Sequence, residues 1–151
     1  MRAVIQRVAD ASVTVDGVVT GAIDGGLLVL AAIATEDTPS DVAVMADKIV
    51  GLRIFADEAG KMNRSVVDAA GSVLLVSQFT LLADVRKGRR PSFTAAAPPG
   101  EAEVLIRELG DAIASHGVPV EHGRFGALMA VRLTNDGPVT IVFDVADGAV
   151  A

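Results

Sequence analysis

The sequence predicts an α+β protein: a single domain over residues 1–151 in which a strongly curved, barrel-like mixed sheet is packed by two main helices. Three observations carry this. A chain of 151 residues supplies one core and needs no second domain. Strand patterns come first, then a helix, more strands, a second helix and a final pair of strands, unlike the strict alternation of a parallel α/β fold. Only two segments repeat apolar residues at helical spacing, and no GxGxxG or Walker signature follows a strand.

Residues 2–8 alternate and read as a strand, and "SVTVDGVVTGAI" reads as a hairpin turning at Asp16-Gly17. "GLLVLAAI" is a continuous apolar run between Gly25-Gly26 and Thr35-Glu36-Asp37, the pattern of a buried central strand. A helix follows. Thr38 caps it, Pro39 suits its first turn, Val42, Met45, Ala46, Ile49 and Val50 share a face, and Gly51 stops it. "LRIF" reads as a strand, "ADEAGKMNRS" as a polar loop and "SVLLVSQFTL" as one long strand. The second helix runs from about Pro99 to Ser115, with Leu105, Ile106, Leu109 and Ile113 on one face and Gly117 as terminator. Two last strands, "ALMAVRL" and "VTIVFD", are joined by "TNDGP", and residues 145–151 read as a loosely held tail.

Composition narrows the chemistry. Apolar residues make up 51% of the chain, yet no run approaches the roughly 20 residues of a membrane span. "MRAVIQRVAD" enters a strand pattern without the apolar stretch of a signal peptide, so a soluble, cytoplasmic protein with no membrane partner is expected. No cysteine is present, which excludes disulfides, a thiol nucleophile and thiolate metal sites. His116 and His122 lack metal-ligand spacing, so no metal and no cofactor are expected. A net charge of −6 argues against non-specific nucleic-acid binding, with one local exception: Arg86, Lys87, Arg89 and Arg90 crowd into "DVRKGRRPSF". By itself such a run is more often a solvated loop.

Two short stretches invite chemistry. In "SQFTL", Ser77 to Leu81, strand alternation puts polar groups on both faces of a segment that otherwise favours burial, a pattern shared by site-lining residues and by strand-end hydroxyls satisfied by backbone. No GxSxG elbow activates Ser77 or Thr80, and neither histidine lies nearby in sequence. Phe79, Phe93 and Phe125 stand beside polar or glycine-rich residues, where a ring can stack on a base, whereas Phe55 and Phe143 fall in strand patterns and belong to the core. In "TNDGPVT", Asn-Asp-Gly is sufficient for a turn, so the proline is surplus. The residues alone favour an ordinary trans turn over a cis Gly137-Pro138 unit, whose carbonyl oxygens would face one side.

The combination is more specific than its parts. "SQFTL" followed by "NDGPVT", with "MRAVIQRV" at the start, "KGRRPSF" between and "GRFGALMAV" before the last turn, resembles the D-aminoacyl-tRNA deacylase family along essentially the whole chain. The resemblance implies hydrolysis of the ester of D-aminoacyl-tRNA, and of glycyl-tRNA including glycine mischarged on alanine tRNA, as chiral proofreading in translation. It implies a homodimer in which the cis Gly137-Pro138 pair of one subunit enters the site of the other, admitting a D side chain and colliding with an L one. Ser77, Gln78, Phe79 and Thr80 would form the catalytic segment. Arg7 would steady the proline loop, Phe125 and Met129 would surround the terminal adenosine, and Arg86, Lys87, Arg89 and Arg90 would meet acceptor-stem phosphates.

Two mechanisms suit that segment. Thr80 is a candidate nucleophile. The absence of a visible base favours instead backbone N–H groups near Phe79 and Thr80 as oxyanion donors, with the adenosine 2′-hydroxyl activating water and Ser77 and Thr80 orienting the substrate. A non-catalytic nucleic-acid-binding dimer and a hydrolase of free D-amino-acid esters are the rival readings.

Overall fold

The structure, a computed structural model, describes residues 1–151. Seven strands form one curled sheet. β1 (Arg2–Val15), β2 (Val18–Ile23) and β3 (Gly26–Ala32) precede helix α1 (Pro39–Gly51). The short strands β4 (Phe55–Ala56) and β5 (Met62–Arg64) pair only with each other. β6 (Ser72–Ser77) leads into a 3₁₀ turn at Phe79–Leu82, then helix α2 (Pro99–Ser115), β7 (Val120–His122), β8 (Ala130–Ala146) and β9 (Ala149–Val150). The sheet order is β7-β6-β3-β1-β8-β9, with β2 on the far half of β1. β3–β6 and β6–β7 are parallel and the remaining pairs antiparallel, which makes the sheet mixed.

Both faces of the central strands are covered, and this explains their unbroken apolar runs. Leu27 and Val29 of β3, with Val73 and Leu75 of β6, pack beneath Met45 and Ile49 of α1 and Leu109 and Ile113 of α2. Leu28, Leu74 and Val76 point the other way, into a second cluster with Val8, Ala11 and Val13 of β1. A strand can serve both clusters only if the sheet curls over itself. β1 does so by losing register against β8 between Gln6 and Val8 and again before Asp10. The result is a half-barrel.

Both helices match their expected spans. Thr38 donates from its backbone N–H (2.8 Å) and hydroxyl (2.7 Å) to the Asp41 carboxylate, closing a box at the start of α1. Asp16 and Gly17 both have positive φ, 50° and 77°, the pattern of a type I′ hairpin turn.

Four local expectations need correction. "TNDGP" does not reverse the chain: β8 is one long strand, and residues 136–139 loop out of its ladder between Asn135, opposite Val8, and Thr140, opposite Gln6. "SVLLVSQFTL" is not a single strand, because β6 ends at Ser77 and the chain coils into the 3₁₀ turn. "LRIF" contributes only Phe55 to strand β4. The carboxyl-terminal tail is tied down: Val145 is fully buried, β9 folds back on β8, and the Gly148 N–H donates to Asp41 at 2.9 Å.

Candidate active site

A cavity of about 710 Å³ opens where β3 and β6 end. The parallel pairing that sets Ala31 beside Ser77 brings both strand ends to one rim, and the Gln78 N–H continues the ladder to the Ala31 carbonyl at 2.8 Å. Ligand sites favour such carboxyl ends of parallel strands, where the chain leaves the sheet. Ser77, Gln78 and Phe79 line one wall, Phe125 and Met129 another, and Phe93 with Ala96–Pro99 closes a third. Phe79 and Phe93 meet edge to face with ring centroids 5.1 Å apart, which fixes the lip. Of 20 lining residues 15 are hydrophobic and none is titratable, so the walls offer shape and no acid or base.

Thr80 lies just outside this lining, in the 3₁₀ turn, where its hydroxyl oxygen accepts a hydrogen bond from Gln78 Nε2 at 2.5 Å. The first bond of the turn runs from the Leu81 N–H to the Gln78 carbonyl, so no carbonyl within the turn serves the N–H of Phe79 or Thr80. Arg2 braces the turn from β1, donating from Nη1 to the Leu81 carbonyl at 3.1 Å. The same guanidinium makes a two-pronged pair with Asp144 at 2.7 Å on each prong, and its hydrogen bonds hold the Asp144 carboxyl below the usual carboxylate range.

Gly137-Pro138 has a cis peptide bond and is solvent-exposed at the crest of the β8 bulge. Its position is fixed from both sides. Arg7 donates from Nε to the Asp136 carbonyl at 2.8 Å, from Nη1 to the Ile54 carbonyl at 2.5 Å, and pairs with the Asp136 carboxylate at 3.1 Å. Asn135 closes the base of the bulge, donating from Nδ2 to the carbonyls of Arg7 (3.0 Å) and Val139 (3.1 Å). A β-carbon on Gly137 would overlap the Val139 backbone nitrogen and come within 2.7 Å of Asn135 Oδ1, so the crest admits only glycine without moving.

One chain does not unite the two signature segments. Ser77 aligns through Ala31 with Ala3, whereas the bulge stands opposite Arg7, on the other side of β1. Four residues along the strand and three strand spacings put them about 20 Å apart along the sheet. The basic loop is also less cationic than its sequence: Arg86 donates to the Asp84 carboxylate from Nε (2.9 Å) and Nη2 (2.6 Å), and these bonds hold Asp84 below its ordinary range. Lys87, Arg89 and Arg90 are exposed and make no ion pair.

The model of the family described as D-Tyr-tRNA(Tyr) deacylase matches residues 4–144. The chain belongs to this family. A D-aminoacyl-tRNA deacylase of Thermus aquaticus is 58% identical over 144 residues, spanning 95% of both chains. One from Opitutus terrae is 59% identical over 145 residues, covering 95% of this chain and 97% of its own. Among solved structures, the c-Myc DNA Unwinding Element Binding Protein superposes with a TM-score of 0.89 at 42% identity, covering 95% of this chain and 98% of its own. No helix of this family member is long and apolar enough to cross a membrane.

Sequence reasoning missed several parts of the site. The Ala96–Pro99 wall carries no polar signal, and Asn135 reads as turn chemistry although its amide spans the bulge. His116, at the end of α2, pairs with Asp47 of α1 at 3.1 Å, away from the cavity. His122 ends β7 beside a smaller groove next to the cavity.

Proposed function

We propose that this protein hydrolyses the ester of D-aminoacyl-tRNA in the cytoplasm, releasing the D-amino acid and free tRNA, and that it does so as a homodimer. Similarity near 58% over almost the full length of the Thermus aquaticus D-aminoacyl-tRNA deacylase is the observation that carries this reading. The cavity agrees in character: apolar and aromatic walls suit a terminal adenosine between Phe125 and Met129, with the aminoacyl group directed to the Ser77–Thr80 segment.

The handedness filter is assigned to Gly137-Pro138 of a second copy. Its exposure and its separation from Ser77 within one chain both favour donation to a neighbour. The carbonyl oxygens of Gly137 and Pro138, on a bulge anchored by Arg7 and Asn135, would meet the α-ammonium and leave space on one side of the α-carbon only. A D side chain fits that space, an L side chain collides, and glycine, with none, is also cleaved, including glycine mischarged on alanine tRNA. Arg86, Lys87, Arg89 and Arg90 approach acceptor-stem phosphates, with Arg86 contributing least because Asp84 already holds it.

For the chemical step, water attacks the ester carbonyl, the N–H groups of Phe79 and Thr80 stabilise the oxyanion, and the bond to the ribose 3′-oxygen breaks. With no titratable residue lining the cavity, the adenosine 2′-hydroxyl is the available proton-transfer group. Thr80→Ala in single-turnover deacylation tests this: retention of most of the rate supports it, and collapse to the uncatalysed rate restores Thr80 as nucleophile. Incubation with D- and L-charged tRNA at matched concentration tests the function itself. Binding without D-selective hydrolysis would favour a non-catalytic nucleic-acid binder, and turnover of free D-amino-acid esters without RNA would favour a small-molecule esterase.

A further inference from the structure

A second groove, about 330 Å³, runs from the main cavity toward α2 and shares Ser77, Ile106 and Phe125 with it. Its character is the reverse of the cavity's. Arg107 of α2 and Arg124, just past β7, line it, and both are exposed and free of any ion pair or side-chain hydrogen bond. Glu103 is its one carboxylate, so two guanidinium groups outweigh one anion in a protein whose net charge is −6. The His122 imidazole is seated against α2 because residue 110 is glycine: a β-carbon there would overlap the ring. Two unpaired arginines lining one groove supply the planar, charged donors that an oxyanion takes.

We infer that Arg107 and Arg124 hold the phosphodiester on the 5′ side of the terminal adenosine, so that the RNA end leaves the cavity over Phe125 and along α2. This rests on the proposed deacylase reading and adds residues that recognise the substrate beyond its last nucleoside. Phe125 belongs to both spaces, so a base packed on it in the cavity has its 5′ link at the mouth of the groove. The basic loop at Arg86–Arg90 lies past the Phe79–Phe93 lip and is left for more distant phosphates. Phosphate contacts set register and orientation, so these arginines act as positioning residues for the ester.

The test compares ligands that differ by a single phosphodiester. Wild-type protein should bind cytidylyl-adenosine about tenfold more tightly than adenosine, and Arg107→Gln combined with Arg124→Gln should abolish that difference while leaving adenosine binding unchanged. In kinetics the double variant should raise KM for D-aminoacyl-tRNA with kcat nearly constant, and lower the slope of log KM against log salt by about 1. D-aminoacyl-adenosine, which lacks the link, should be cleaved as by wild type. Glu103→Gln, an exposed change that leaves the core untouched, should strengthen cytidylyl-adenosine binding about two- to threefold. Equal losses on both ligands would mean a merely structural role, and no change in either variant would also overturn the assignment. The binding arm is independent of catalysis. If D-aminoacyl-tRNA is not cleaved but the dinucleotide preference depends on the arginines, the deacylase reading fails and the groove stands; the converse result removes only the groove.

Discussion

Arg7→Ala is the most discriminating perturbation, because this side chain ties the exposed Gly137-Pro138 bulge to the body of the protein. The guanidinium is 15% exposed and serves two carbonyls, Asp136 and Ile54, at 2.8 and 2.5 Å. A charged hydrogen bond contributes about 1.5–3 kcal/mol. The partner carboxylate of Asp136 is 60% exposed, so its ion pair adds little. Water can reach the Asp136 carbonyl once the arginine is gone, which reduces the loss, and the variant should be about 2–3 kcal/mol less stable. For a chain of this length that lowers Tm by about 4–12 °C. If the bulge is the handedness filter, up to about 2 kcal/mol of its anchoring is lost, and the D-over-L preference should fall by about 10- to 30-fold. Arg7→Lys keeps the charge but cannot span both acceptors, so it should fall between the two. Thermal melts and paired deacylation of D- and L-aminoacyl-tRNA measure both effects. A lowered Tm with an unchanged D/L ratio would refute the link between the bulge's anchorage and selectivity.

Asp41, 2% exposed, is held below the ordinary carboxylate range, chiefly by the Gly148 N–H and then by the Thr38 hydroxyl, against the opposing effect of burial. A lowered folded value means that its contribution is complete above the unfolded value of about 3.9 and is lost as pH falls through the folded one. Asp41→Asn should therefore be less stable than wild type near about pH 7, with the gap closing below about pH 4 in melts across that range. Arg2→Met removes the brace on the Leu81 carbonyl; because its pair with Asp144 is 39% and 38% exposed, Tm should hardly move, while kcat should fall about tenfold if the loosened 3₁₀ turn carries the proposed oxyanion donors. The pH profile of kcat should climb without an inflection near about 6–7, since no lining side chain titrates there; a histidine-like inflection would contradict the proposed use of the substrate's own hydroxyl.

The helices were legible because their chemistry is local: Val42, Met45 and Ile49 repeat at helical spacing, and Thr38-Pro39 announces the start. β3 and β6 were legible as apolar runs, but such runs do not say that alternate residues enter two different clusters. Misreadings fell where one local signal has two solutions. Asn-Asp-Gly-Pro serves a chain reversal and a bulge equally well, and the choice depends on Asn135 reaching the carbonyl of Arg7, 128 residues away. "SQFTL" has strand-like apolarity, yet the ladder of β6 ends with the Gln78 N–H on the Ala31 carbonyl, and the chain then coils. The tail did carry a usable sign: Asp147-Gly148, with φ of 52° and 71°, is a hairpin dipeptide of the same kind as Asp16-Gly17. The separation of the two signature segments within one chain follows from strand order, which no motif encodes.

The supports of the cavity and of the bulge are polar where the cavity walls are mostly apolar. A cavity without titratable groups cannot tune a catalytic pKa, so on the proposed reading its contribution to rate and selectivity comes from where backbone atoms and flat apolar surfaces stand. Those positions are set by residues outside the lining: Arg2 under the 3₁₀ turn, Arg7 and Asn135 under the bulge. A volume-conserving change in the walls, such as Met129→Leu, should then disturb catalysis less than loss of one distant anchor. In an enzyme built on a side-chain base the order would be reversed.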